Sequence, residues 1–396
     1  MPVDLSLIKG FIYPNEGWFQ WSFMLVIYPY ITGLVAGAFV VSAFYEVFHD
    51  ENFKPVSRLA LICSLGFLLV CAMPLEFHLT HHLRGFEIFM TPHLTSAMAG
   101  FGFVYLWYLF ILLLEIWFNF REKIVEGAES KKPSFRRFIL RILLLGSHDV
   151  SEKALKTVHK VAHILAIIGI PSACFLHGYV GFIFGSIKAN HWWASPLMPF
   201  IFLLSAVVSG VAMMYVLYWI CCVIIKREPM NHKTLNSFIQ LLFGFIIVDL
   251  AFEGLEILQI FYAHIEATMP IKDLIKNELM GSYVWGQAII GSGVPFIILI
   301  FLEWIIPWSK KHLRQGLMLI ASLFVLGSVF LMRWNVVIGG QELSRSLLGT
   351  FHFTEVFGTH EGVGVGICLL ILPFILMIIF SLFLDPWEKK SVKEVK

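Results

Sequence analysis

The chain alternates long apolar runs with short polar stretches. Residues at about 20–48, 58–79, 94–119, 159–184, 196–225, 235–263, 282–307, 314–339 and 361–385 are dominated by aliphatic and aromatic side chains. An α-helix needs ~20 such residues to cross a bilayer, and each run meets that length. The pattern predicts an all-α, polytopic membrane protein with about nine transmembrane helices. Several runs are longer than required, which implies tilt or protruding helix ends. The last begins among Gly358, Gly362, Gly364 and Gly366, and a tenth span is open if residues 340–360 re-enter the membrane.

Composition agrees: of 396 residues, 58% are hydrophobic and 14% charged, against about 25% charged in soluble domains. The distribution of charge adds an orientation. With the N-terminus outside, the inner segments hold 22 of the 29 Lys and Arg residues. Such an excess marks the cytoplasmic side, so the chain is predicted N-out and C-in, in a bacterial cytoplasmic (inner) membrane. Residues 1–14 lack the basic stretch, apolar core and cleavage site of a signal peptide, and no cleaved one is expected. In the inner loop 120–158, Arg136, Arg137 and Arg141 interrupt the apolar run Phe135–Leu145. This reads either as a basic helix on the lipid surface or as a loop helix packed on neighbouring spans.

Candidate chemistry begins inside the sixth run. Asp249, Glu253 and Glu256 fall within roughly 60° of one another on a helix, over about 10 Å of rise. A charge at mid-bilayer costs about 2.5–3.5 kcal/mol on insertion scales, so such residues face a protein interior and often mark a proton, ion or substrate path. A neutral packing network is the alternative. Arg333 and Asn335 fall at comparable depth in the eighth run, and Glu253 or Glu256 is the expected partner of Arg333.

The ends of the helices predicted to face outward are rich in polar aromatic groups. Glu76, His78, His81, His82, Arg84 and His93, with Thr95, surround the turn between the second and third runs; Trp192, Trp193, His264, Gln341, Glu342 and Arg345 lie in later connections. A quinone needs a hydrogen-bond donor at each carbonyl and a base for the quinol proton, and histidine suits the base role. His177, beside Gly178 and Tyr179 in the fourth run, is either such a group or a core histidine bonded to a carbonyl. His163 and His177 are about 21 Å apart on one helix and cannot share a haem, whereas a haem between His78 and His177 stays open. The six cysteines, Cys63, Cys71, Cys174, Cys221, Cys222 and Cys368, form no C-x-x-C and no spaced quartet. Electron chemistry would then need an organic cofactor or a partner. No P-loop, dinucleotide fingerprint, serine nucleophile or nucleic-acid motif is present.

Four stretches carry a family resemblance. Tyr28-Pro-Tyr-Ile-Thr-Gly-Leu-Val-Ala-Gly-Ala-Phe39 resembles the first-helix signature of the NrfD/PsrC family of polysulfide-reductase-like membrane subunits. Pro92-His-Leu-Thr-Ser-Ala-Met98 is similar to its Pro-Thr-Ser-Pro-Met turn, with Ala97 in place of proline and a different spacing. His177–Gly185 with Trp192–Pro199, and Arg333–Gln341, complete the match. The resemblance implies two side-by-side helical bundles without a haem or cluster of their own. Residues 1–19 would be an outer segment, 20–184 the first bundle, 185–345 the second, and 346–396 an added span and cytoplasmic tail. It further implies menaquinone or ubiquinone bound near the outer face in the first bundle. An iron–sulfur ferredoxin-like subunit would dock there and connect to a molybdenum enzyme or multihaem cytochrome.

These readings converge on a quinone/quinol-binding membrane subunit of a respiratory oxidoreductase complex, not catalytic alone. His78, His93 and His177 are the expected proton-exchanging groups; Asn15, Trp18, Gln20, Thr95 and Tyr179 the expected quinone-binding ones. Asp249, Glu253, Glu256 and Arg333 are the expected proton relay. The rival is a proton- or ion-coupled transporter with the acidic stripe as its coupling site.

Overall fold

Nine helices of spanning length build the computed structural model, which describes residues 6, 8–93, 95–130, 134–226, 230–263, 266, 268–354 and 356–387. They are α1 Met24–Glu46, α2 Lys54–His78 with a break at Ala72, α3 Ala97–Asn119, α4 Glu152–Gly185 and α5 Met198–Ile225. After these come α6 His232–Tyr262, α7 Met280–Ile305, α8 Lys311–Val337 and α9 Val363–Phe383. Eight are long and apolar enough to cross a membrane; the ninth, α6, has the length but carries the three acids. The chain is thus a multi-pass helical membrane protein, as its sequence predicts. Lys131, Lys132, Arg227 and the tail lysines beyond 387, counted in assigning orientation, lie outside the described residues, as do His264 of the outer polar set and Leu94 of the Pro92–Met98 turn.

The observed ends differ from the predicted ones where polarity hides a helix. α4 starts at Glu152 rather than near 159, because Ser151 caps it: its Oγ accepts from the Ala154 N–H at 3.3 Å. Residues 342–362 do not form a tenth span. They fold back as a strap whose Gly349–Thr350 pairs antiparallel with Lys9–Gly10. In the inner loop, a helix over Phe135–Leu143 packs on its neighbours, the second of the two predicted alternatives. Leu140 packs under Gly127 of the preceding helix Arg121–Glu129, while Phe135, Phe138 and Ile142 stay exposed on the other side.

Helix contact in a membrane depends on close packing rather than on expulsion of water. α1 and α5 show this at one point. A Cβ on Gly37 would stand 2.3 Å from the Ala206 carbonyl oxygen and 2.6 Å from the Gly210 Cα, so the two backbones touch. α1 packs against α2, α4, α5 and α8, and α5 packs in turn against α4, α6 and α8. α3 lies on α4, α7 on α8, and α9 on α2. Much of α7 is wound as a π-helix, over Met280–Gly293 and Phe301–Ile305, with Gly286 against Leu331 and Gly291 against Ser328 of α8.

The helices alternate between two faces. One carries the N-terminal segment, the strap and the loop around residues 186–197; we call it the N-terminal face. The other carries the loops around 120–151, 226–231 and 306–310, and we call it the basic face.

Candidate functional site

A cavity of about 340 Å³ opens on the N-terminal face, where the N-terminal segment, the end of α4 and the strap meet. Its lining includes Glu16, Trp18, Gln20, Trp21, Asn190, Trp193, Gln341 and Arg345. Side-chain bonds to backbone hold the wall together. Gln341 Oε1 accepts from the Trp21 N–H (2.9 Å), while its Nε2 donates to the Trp21 carbonyl (3.0 Å) and the Val337 carbonyl (2.9 Å). Asn190 Nδ2 donates to the Gly340 carbonyl at 2.6 Å, and its Oδ1 accepts from the Trp192 N–H. Trp193 Nε1 donates to the Val336 carbonyl, which turns its ring flat against Trp21 with centroids 4.6 Å apart. A Cβ on Gly340 would collide with that indole.

Glu16 anchors the rim. It is buried, and its carboxylate accepts from the Ser344 hydroxyl (2.6 Å), the Arg345 N–H (2.7 Å), the Arg345 Nε (3.0 Å) and the Tyr13 N–H (2.9 Å). Burial alone would push its pKa up, but these donors outweigh it and hold the group below the ordinary carboxylate value. Nearby Glu342 behaves oppositely: burial, with Glu278 as a like charge, pushes it up to about 7 even though the Phe353 N–H donates to it.

The predicted site residues do not gather at one place. Trp18 and Gln20 line the cavity. Asn15 is exposed on the turn Pro14–Glu16 and is not among the lining residues. His78, His93, Thr95 and Tyr179 lie elsewhere on the same face. His78 Nδ1 is 3.3 Å from Glu361; His93 Nδ1 and the Thr95 hydroxyl share an exposed hydrogen bond of 2.8 Å; Tyr179 donates to the Ala97 carbonyl at 2.8 Å. Glu16 and Asn190 carry no expected role, although each lies within two residues of one that does attract notice, Asn15 and Trp192. Trp193, Gln341 and Arg345 stand out in the sequence only as polar residues near this face.

His177, Arg333 and the acids form a second, buried polar region. His177 is fully enclosed against Gly33 of α1, where a Cβ would lie 3.2 Å from its Cε1. Arg333 Nη2 donates to Ser205 Oγ (2.8 Å), to His177 Nε2 (3.1 Å) and to the Phe202 carbonyl (3.2 Å), with the guanidinium 3.9 Å from the Phe202 ring centroid. Arginine has no acceptor, so His177 Nε2 must accept and its ring proton sits on Nδ1. This corrects the expected Arg333 pairing. Among the described residues no carboxylate is hydrogen-bonded to Arg333 or ion-paired with it, although Asp249 and Glu253 lie near enough to act on it electrostatically. The neutral acceptors on α4 and α5 occupy the guanidinium instead.

Gln287 of α7 ties the acids to α8. Its Oε1 accepts from Asn335 Nδ2 (2.9 Å), it faces Glu253, and its carbonyl accepts from the Ser328 hydroxyl (3.0 Å), which also bonds Ser292 (2.8 Å). Asp249 and Glu256 are buried, and among the described residues Asp249 Oδ1, Glu256 Oε1, Asn335 Oδ1, Arg333 Nε and His177 Nδ1 have no hydrogen-bond partner. Buried polar atoms are nearly always bonded, so five orphans in one region single it out. Among the described residues no cluster of three or more His, Cys, Asp or Glu could hold a metal ion.

Comparison with known proteins supplies the context for this geometry. The family model described as Polysulphide reductase, NrfD, matches residues 14–343, and the chain belongs to that family. It is 32% identical over 325 residues to a selenate reductase subunit of Mesobacillus selenatarsenatis, covering 81% of this chain and 73% of that protein. It is 22% identical over 347 residues to the Hdr-like menaquinol oxidoreductase integral membrane subunit of Archaeoglobus fulgidus, covering 86% and 76%. To protein NrfD of Escherichia coli it is 22% identical over 330 residues, covering 81% and 95%. The family match includes most of the cavity wall and ends before α9.

Proposed function

We propose that this NrfD-family chain is the quinone-binding membrane subunit of a respiratory oxidoreductase complex in a bacterial cytoplasmic membrane, with its N-terminal face outside. The observation that carries the reading is the aromatic, donor-lined cavity on that face. Its volume falls within the ~300–1,000 Å³ of small-molecule sites. Trp18 and Gln20 offer N–H donors, and Arg345, held by Glu16 through Nε, keeps its remaining N–H groups free to donate. The parallel Trp21 and Trp193 rings supply a flat apolar surface. Two carbonyl acceptors on a planar ring fit this donor set. When bound there, menaquinone or ubiquinone would supply the exchange of two electrons and two protons.

The chain's own residues would then do the following. Trp18, Gln20 and Arg345 orient the ring; Glu16 fixes Arg345; Gln341 and Asn190 keep the wall closed behind it. An iron–sulfur ferredoxin-like subunit would dock on the N-terminal face and connect to a molybdenum enzyme or a multihaem cytochrome, as the relatives named as reductase and oxidoreductase subunits suggest. Asp249, Glu253, Glu256 and Arg333 would relay protons, with His177 joining them through Arg333. Family membership favours this reading over a transporter.

Photo-labelling the assembled complex with an azidoquinone tests the site. Label is expected on peptides containing residues 16–21 and 340–345, and less of it in Arg345→Ala. Label confined to peptides around His78 and His93 would overturn the assignment.

A further inference from the structure

Glu115 lies outside everything described so far. It is on α3, it has no exposed surface, and among the described residues neither of its oxygens has a hydrogen-bond partner. One turn on, the Nδ2 of Asn119 is also buried and unpartnered. An isolated carboxylate in such surroundings is strongly disfavoured, whereas a carboxylic acid is tolerated. We propose that Glu115 is a proton-holding carboxyl at the foot of a polar file among α1–α4, reached from the basic face through Glu46 and His163.

The approach from the basic face is built from three helices. Glu46, at the end of α1, acts on Glu115 electrostatically and accepts from the Ser57 hydroxyl of α2 at 2.9 Å. His163 of α4 contacts the Glu46 carbonyl through Nδ1 at 2.7 Å and stacks on His49, with ring centroids 5.2 Å apart. Arg58 and His159 also face Glu46. Arg58 lines a cavity of about 630 Å³ on the basic face, together with Glu122, Lys123, Arg136 and Asp385. Acid, imidazoles and cavity thus form a path from that surface toward a carboxyl with no structural partner.

The file continues toward the N-terminal face. Tyr108 is seven residues before Glu115, on the same stripe of α3. The Ser64 hydroxyl donates to the Val35 carbonyl (3.1 Å), so the Tyr108 hydroxyl, 3.1 Å away, is the donor to Ser64. Its oxygen keeps a lone pair for a proton from below. Cys71 and Cys174 neighbour Tyr108. Beyond Cys71 stands the Tyr28 hydroxyl, buried and unpartnered, and then Tyr179, bonded to Ala97. None of these residues belongs to the acidic stripe of α6. The elementary step is a proton exchange: Glu46 gives up a proton as the Glu115 carboxylate takes it, His163 beside Glu46 then returns one to Glu46, and no electron moves.

Infrared spectroscopy of the assembled complex tests this without quinol turnover, so its outcome is independent of the quinone site. A protonated-carboxyl C=O band that shifts in D2O should lose one component in Glu115→Gln. If that variant does not assemble, Glu115→Asp should keep the component and move it. In Glu46→Gln the component should remain and its exchange with D2O should slow at least tenfold. An unaltered carboxyl band in Glu115→Gln or Glu115→Asp would overturn the proton-holding role. Exchange at the wild-type rate in Glu46→Gln would overturn the route.

Discussion

Glu16 and Asp249 are both buried acids, and the chain treats them differently. Glu16, in the cap on the N-terminal face, receives four donors from three residues, two of them in the strap. Asp249, inside α6, leaves Oδ1 without a partner among the described residues, and Glu256, Asn335, His177 and Arg333 of the same buried region each leave one atom unbonded there. A saturated carboxylate is fixed in charge and position and serves as a strut. Groups with unused hydrogen-bonding capacity can change partners or protonation at little structural cost, which a relay requires. The difference teaches that burial alone does not mark function; the balance of donors and acceptors does.

The comparison can be broken first at Arg333, the one member of the buried region that is heavily bonded. Arg333→Ala leaves the His177, Ser205 and Phe202 acceptors facing an empty volume and should cost about 3–5 kcal/mol. Thermal unfolding and yield of monodisperse protein should both fall, more than in His177→Ala, which removes one acceptor. Wild-type stability in Arg333→Ala would place the guanidinium among the exchangeable groups.

The next effect concerns the strut. Glu16→Gln gives up charge-assisted bonds worth about 1.5–3 kcal/mol together. Because the folded group titrates below its ordinary value of 4.5, its contribution is complete above that pH and is lost as pH falls through the folded value. The gap in melting temperature between wild type and Glu16→Gln should therefore be widest near neutrality and close below about pH 4.5. A gap that does not vary with pH would remove Glu16 from the class of saturated ions.

Glu253→Gln sharpens the contrast from the other side. It keeps size and hydrogen bonding, including the approach to Gln287, so the amount of assembled complex should change little. Quinol turnover per complex, or the proton movement coupled to it, should drop roughly a hundredfold, the low end of proton-transfer effects. Equal loss of assembly and activity, with activity per complex preserved, would make the acidic stripe a second strut.

The helices were legible because length and apolarity almost suffice to define a span. α6 was legible despite its acids, which share one face of an otherwise apolar run. The start of α4 was hidden because residues 152–158 are polar and helical at once. The strap was hidden because two residue pairs of sheet leave no periodicity to read. Trp18 and Gln20 could be selected as polar aromatic groups near the first span, but the clamp by Gln341 and Asn190 acts on backbone atoms, which sequence does not distinguish. For Arg333 the sequence points to an acid, because an ion pair is the simplest solution for an intramembrane charge. Its fork of donors was met instead by a carbonyl, a hydroxyl, an imidazole and a ring face, which depends on how α4, α5 and α8 cross.

The hold of Gln341 on Trp21 spans 320 residues of sequence. At about 5–20 residues per second, a ribosome needs some tens of seconds to pass from one to the other. During that interval the first helix is already in place while the segment leading into it has no counterpart to close against. The cavity is therefore completed only after the eighth helix emerges, and a chain arrested earlier lacks this wall. A finished cavity thus reports that every helix from α1 to α8 has been made.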